Sequence, residues 1–187
     1  MCWINKIVFP FLLFPIILLG QSSISEIRNL RSDTLDVLHY DLSISFLEMN
    51  QQKITGTAKI EFQALMSDVS SISLDLENFQ IVDVKDEHNQ NLNYAYNDTL
   101  LVVMLSQTLN GGDIAIIEVT YSGTPPIDPA GFGGLYFMNN QAFNFGVALA
   151  AQPHNFGRAW HPCFDNFVER ATYSLTVTSP ANKSAYA

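Results

Sequence analysis

Cysteine is almost missing from this sequence, which carries only Cys2 and Cys163 in 187 residues. Cys2 falls in a leader-like stretch, so no intrachain disulfide is available to the rest of the chain and the core must hold the fold unaided. Histidine is equally sparse. His39, His88, His154 and His161 never stand four apart and none precedes a glutamate, which removes a helix-borne His-Glu-x-x-His zinc site. Only 9 basic residues face 18 acidic ones, an excess that disfavours nucleic acid and anionic membrane lipid as partners. No apolar run reaches the roughly 18 residues that a spanning helix needs. No long segment carries a 3.6-residue period, so a helical fold is excluded.

The longest apolar run, Ile7 to Leu19, follows Lys6 and ends at Gly20-Gln21-Ser22. That pattern predicts a signal peptide over residues 1–22, cleaved after Ser22 or Gly20, with an uncleaved membrane anchor as the alternative. The protein is then exported: secreted, periplasmic or held at the cell surface. No cysteine comes after the run until Cys163, so a lipid anchor at that point is not expected. Without the leader 18 acidic side chains remain against 8 basic ones, a formal charge of −10. Cys163 becomes the single thiol. Its ordinary reading is buried and inert; the alternative, a nucleophile with His161 as base, has only sequence proximity behind it.

Hydrophobic residues make up 48% and charged ones 14%, so the chain folds. Residues 23–36 read as a polar lead-in, with Ile24, Ile27 and Leu30 spaced for at most a short helix. From Val37 the period is two. Tyr40, Leu42, Ile44 and Phe46 alternate with His39, Asp41, Ser43 and Ser45, which leaves His39 exposed on the polar face. Lys53 to Phe62 is the expected partner strand, joined by a loop at Met49 to Gln52. Further strands are predicted at Ser71–Leu76, Ile81–Val84, Leu92–Tyr96 and Leu100–Leu105, the last covered on both faces. Asn110-Gly111-Gly112-Asp113 reads as a hairpin turn into Ile114–Tyr121. Residues 122–134 hold three prolines and four glycines and form a loop; the strand after it argues against a phosphate cradle. Leu135–Met138, Phe143–Leu149 and Tyr173–Val177 complete about ten short strands. The expected fold is all-β, an antiparallel two-sheet sandwich or saddle over residues 37–179, with 180–187 opening a further segment.

One stretch breaks the alternation. Ala151 to Arg170 gathers His154, Arg158, His161, Asp165, Glu169 and Arg170 among Phe and Trp, and Pro153 and Pro162 bracket its first half. On chemistry alone Asn155 to Trp160 forms a helical turn or ordered coil, and Arg158 and Asp165 form a buried ion pair locking two loops. His154 and His161, seven apart, offer too few donors for zinc.

The run Arg158-Ala-Trp-His-Pro-Cys-Phe-Asp165, followed by Glu169-Arg170 and a strand, resembles the block that closes the N-terminal β-domain of the M1 family of zinc aminopeptidases. Asp36-Val-Leu-His-Tyr-Asp41, Gly56, Leu74-Asp75-Leu76 and Gly134-Leu-Tyr136 fall in that domain's order, and the resemblance covers roughly Asp36 to Thr178. It implies a saddle-like β-domain that packs on a thermolysin-like catalytic domain, and a loop residue that helps hold the free amino group of a peptide substrate's N-terminus. Matched by position, Gln152 is that residue, although it lies one place further from the arginine than the family spacing and Pro153 stands where the acceptor commonly is. Arg158, Pro162, Cys163 and Asp165 are implied to be structural. Zinc is implied for the whole family member but not for this chain, which also lacks the Gly-x-Met-Glu-Asn substrate motif and ends before a catalytic domain begins. A stand-alone secreted β-sandwich that binds protein or glycan is the alternative, resting on Tyr94, Tyr96, Phe132 and Tyr136 as exposed aromatics. Asn97-Asp98-Thr99 and Asn182-Lys183-Ser184 fit glycan acceptor sites.

Overall fold

The computed structural model describes the chain over residues 30–186, and alternation of apolar and polar residues lays down about half of these as strand. The predicted signal peptide and the first half of the lead-in, residues 23–29, lie outside the described residues. A 3-10 turn at Leu30–Asp33 leads into β1 (Leu35–Ser45), β2 (Ile54–Ala64), β3 (Val69–Asp75), β4 (Gln80–Asp86) and β5 (Tyr94–Tyr96). Then come β6 (Leu100–Leu109), β7 (Ile114–Gly123), β8 (Gly133–Met138), β9 (Gln141–Ala148) and β10 (Thr172–Thr178).

Three sheets result, not the two expected. The largest runs β10-β1-β2-β7-β4, the second β3-β6-β5, and β8 and β9 pair by themselves. The alternating side chains of β2, from Ile54 through Ala58, Ile60 and Phe62 to Ala64, are buried. They meet Ile72 and Leu74 of β3 and Leu101 and Val103 of β6 in one core between the two larger sheets. Burial of this apolar face is the main favourable term in folding. Gly56 belongs to the same face because Tyr121 of the neighbouring strand lies where its side chain would be: an added Cβ falls 2.3 Å from Tyr121 Cζ.

Four expectations change. β10 joins the sheet parallel to β1, with Tyr40 opposite Tyr173 and Leu42 opposite Leu175, so the fold is not wholly antiparallel. A parallel neighbour needs a long crossover, and here the whole chain between β1 and β10 supplies it. Asn110–Asp113 does turn, with Asp113 N donating to Asn110 O at 2.9 Å, but it is no hairpin. β6 pairs with β3 and β5 while β7 pairs with β2 and β4, so the turn carries the chain from one sheet to the other. It is pinned at the end of β2, where Gly112 N donates to Ala64 O at 2.8 Å. β6 is buried on one face only, its apolar Met104 lying exposed beside the buried Val103. His39 is half-buried, not exposed: Nδ1 meets Thr172 Oγ1 at 2.7 Å and Nε2 meets Ser174 Oγ at 3.1 Å, tying β10 to β1 across the outer face.

Candidate functional site

The segment that breaks the alternation closes one end of the molecule, and charges hold it there. Asp75, at the end of β3, exchanges backbone hydrogen bonds with Cys163, Asp75 N to Cys163 O at 2.8 Å and Cys163 N to Asp75 O at 3.0 Å. Its carboxylate accepts from Asp165 N at 3.0 Å and from the Arg31 guanidinium. Arg158 lies buried behind this bridge. It donates to Asp165 and, through Nε, to Glu77 Oε2 at 3.1 Å. The ion pair expected between Arg158 and Asp165 is therefore formed. Burial pushes the Asp165 carboxyl above its ordinary value, and the Arg158 charge only partly offsets that.

Cys163 and His161 are both buried in this block. Burial, followed by the charges of Asp165 and Asp75, pushes the thiol well above its ordinary value. Burial also lowers His161 to about 4 although its Nδ1 donates to Pro162 O at 3.0 Å. A neutral thiol beside a neutral imidazole gives no thiolate, so the nucleophilic reading fails. Pro162 is buried between them. Tyr121 OH donates to Trp160 O at 2.8 Å and Phe164 N donates to Tyr40 OH at 3.1 Å, which ties the block to the main core. A cavity of about 240 Å³ lies between the block, β9 and β10, with Tyr40, Trp160, His161 and Tyr173 among its walls.

Gln152 does not line that cavity. It stands in the loop from Leu149 to His154, whose base is closed by Ala148 N donating to His154 O at 2.7 Å and by a Val147–Asn155 bridge. The other side of the loop is held by a residue that no sequence motif singles out. Asp128, buried in the Gly/Pro loop, accepts backbone N–H groups from Ala151 at 2.7 Å, Ala150 at 3.0 Å, Leu149 at 3.3 Å and Ala130 at 3.2 Å. Desolvation works to raise its pKa, but these N–H donors outweigh it and the carboxyl lies below its ordinary value. The one signal in the sequence is a lone acid between Pro126-Ile127 and Pro129, flanked by Gly133 and Gly134. Both glycines adopt positive φ, and a Cβ on Gly133 would fall 2.2 Å from Val147 O. The loop thus lies flush against β9 and presents Asp128 to it.

Gln152 itself is exposed, and its Nε2 lies 3.1 Å from His154 Nε2. That contact occupies an amide donor and orients the side chain, whose carbonyl oxygen is the group that can accept from a cation. His154 is exposed and His161 buried, so the two histidines share no environment. Among the described residues no three His, Cys, Asp or Glu side chains come together to hold a metal ion. The aromatics read as exposed divide. Tyr94 and Phe132 are exposed, Tyr96 is half-buried with its OH donating to Leu76 O, and Tyr136 is half-buried against Phe143.

Comparison with known proteins places this geometry. Residues 37–187 match the family model of the Peptidase M1 N-terminal domain. No curated protein sequence matches the chain. Among solved structures, an M1 zinc metallopeptidase from Deinococcus radiodurans is 25% identical with a TM-score of 0.68, covering 79% of this chain and 33% of its own. A mutant of that enzyme, bound to a Tyr-Ser-Ala substrate, is 23% identical with a TM-score of 0.66, over 77% of this chain and 32% of its own. Yeast LTA4 hydrolase is 16% identical with a TM-score of 0.59, over 79% and 23%. The latter two are likenesses of fold. The chain spans about a third of the length of the metallopeptidases it resembles.

Proposed function

The chain belongs to the M1 peptidase family as its N-terminal domain, and on that premise we propose that it is exported and positions peptide substrates for a zinc-bearing catalytic domain carried on further polypeptide. The whole protein releases N-terminal amino acids from peptides. Zinc does not fit the histidines of this domain: His161 is buried with Nδ1 turned to Pro162 O, and His154 lies apart from it on the surface. In this proposal the metal and the water it activates belong to the other domain.

The observation that carries the reading is the loop from Leu149 to His154, fastened by Asp128 so that Gln152 stands exposed at its tip. An exopeptidase must meet its substrate's α-ammonium with oxygen acceptors, because a buried cation without them is costly. Gln152 supplies a neutral acceptor on a backbone that does not have to reorganise. The block of Arg158, Pro162, Cys163 and Asp165 supports that loop from below and touches no substrate.

Gln152→Ala in the whole protein tests this. Removing a hydrogen bond to a charged group is expected to lower kcat/KM for aminoacyl-anilides by about tenfold or more, with Gln152→Glu retaining activity. Unchanged kinetics in Gln152→Ala would sink the assignment. The 187-residue chain by itself is expected to hydrolyse no aminoacyl-anilide, and cell fractionation tests export.

The binding-module reading rests on Tyr94, Tyr96, Phe132 and Tyr136. Tyr96 is half-buried with its OH bound to Leu76 O, Phe132 stacks on Phe145 at 5.0 Å and Tyr136 on Phe143 at 5.4 Å. Rings that spend their faces on one another keep little face for a sugar, which favours the peptidase reading.

A further inference from the structure

An amide and a carboxylate have nearly the same shape, but they are not the same acceptor. Either end of a carboxylate can receive a hydrogen from an ammonium group, whereas an amide accepts through its oxygen and only donates through its nitrogen. A glutamine facing a substrate's amino group therefore has a right way round and a wrong one. Size cannot choose between them. Turned the wrong way, Gln152 would set its own N–H groups against the ammonium, so the orientation has to come from a neighbouring group.

His154 is placed to supply it. Pro153 is buried while Gln152 and His154 on either side of it are exposed, so the proline anchors the loop and its two neighbours stand out from the surface. The backbone is pinned on both flanks. Asp128 accepts from Ala151 N at 2.7 Å just before Gln152, and His154 O accepts from Ala148 N at 2.7 Å just after it. From these held positions the two side chains meet, with 3.1 Å between Gln152 Nε2 and His154 Nε2. The amide nitrogen is the donor in that contact, so the ring nitrogen is the acceptor and the imidazole carries its proton on Nδ1. The amide is thus gripped by its nitrogen end.

We propose that His154 is a positioning residue for the peptidase reaction, its Nε2 lone pair holding the Gln152 nitrogen so that the carbonyl oxygen is the end presented to the substrate's α-ammonium. This rests on the assignment of Gln152 to that ammonium and adds the means by which a neutral side chain can serve there. His154 itself touches no substrate. It orders a flexible side chain before the peptide arrives, so that less freedom is lost on binding. A carboxylate at position 152 would have no wrong end and would need no such neighbour.

A double-substitution cycle on the whole protein, catalytic domain included, tests this with aminoacyl-anilides. His154 is exposed, so His154→Ala leaves the fold intact, and it is expected to raise KM about threefold or more with kcat nearly unchanged. In a Gln152→Ala background the same substitution should cost nothing further, and in Gln152→Glu little, because neither of those side chains has an end to choose. A second readout needs no catalysis. With histidine labelled by nitrogen-15, spectra at alkaline pH, where imidazole is neutral, should place the His154 proton on Nδ1, and Gln152→Ala should move it toward Nε2. If Gln152→Ala costs activity while His154→Ala costs none, or costs the same in every background, the positioning role is wrong and the Gln152 assignment survives. If Gln152→Ala itself costs nothing, both fall. A His154 proton found on Nε2 in the unsubstituted protein overturns the proposal as well.

Discussion

The Asp128 carboxylate accepts the backbone N–H of Ala151 at 2.7 Å, so an acid in the Gly/Pro loop sets the position of the residue before Gln152. Two segments that the sequence separates by more than 20 residues thereby form one unit, in which the first holds and the second presents.

Asp128→Ala is expected to free that loop without unfolding the sheets. Amide exchange at Leu149, Ala150 and Ala151 should quicken by roughly tenfold or more while β1 and β2 keep their protection. The pH dependence comes from the lowered carboxyl. The hold is complete above the ordinary aspartate value of about 4 and is lost only as pH falls through the lower folded value. Loop exchange should therefore remain slow at a pH where exposed aspartates are already half protonated. Exchange rates unchanged by the substitution would show that the loop holds itself.

Arg158→Met should be severe, because it leaves Asp165 and Glu77 facing a buried site with no cation. Breaking a buried pair costs about 3–5 kcal/mol, read by urea denaturation at neutral pH. The Asp165 carboxyl is raised in the folded state, so folding favours its protonated form, and its burden on stability grows as pH rises through the folded value. The loss should therefore be smaller at mildly acidic pH, where Asp165 takes up its proton. An equal loss at both would contradict this account of the pair.

Gly56→Ala drives a methyl into the Tyr121 ring, 2.3 Å from Cζ and 2.4 Å from the hydroxyl oxygen. Overpacking of this kind costs about 1–3 kcal/mol. Because Tyr121 also donates to Trp160 O, the disturbance should travel to the block beneath the Gln152 loop. Amide chemical shifts at Trp160 and Cys163 should move in this variant, and shifts confined to β2 and β7 would refute the link.

Cys163 should resist thiol reagents in the folded protein and react fully once denatured, as peptide mapping after alkylation would show. Burial withholds the reagent and, with Asp165 and Asp75 close by, holds the thiol in its unreactive protonated form. Rapid native labelling would mean that the block opens far more readily than its hydrogen bonds imply.

The strands and their buried faces were legible in the sequence because they depend on a local pattern: Tyr40, Leu42 and Ile44, or Ile54, Ala58 and Phe62, announce their side of the sheet by position alone. The motif from Arg158 to Asp165 was legible for the same reason, and it led to the family. Partners were not. Local alternation cannot say that Tyr173 lies parallel beside Tyr40, that the turn at Gly111-Gly112 changes sheets, or that His39 is enclosed by Thr172 and Ser174. Nor could it single out Asp128, whose role exists only because Gly133 and Gly134 bring its loop onto β9. Sequence alone determined which residues seek the interior and which turn; the tertiary structure decided what each meets, because contact between distant segments depends on the path of the whole chain.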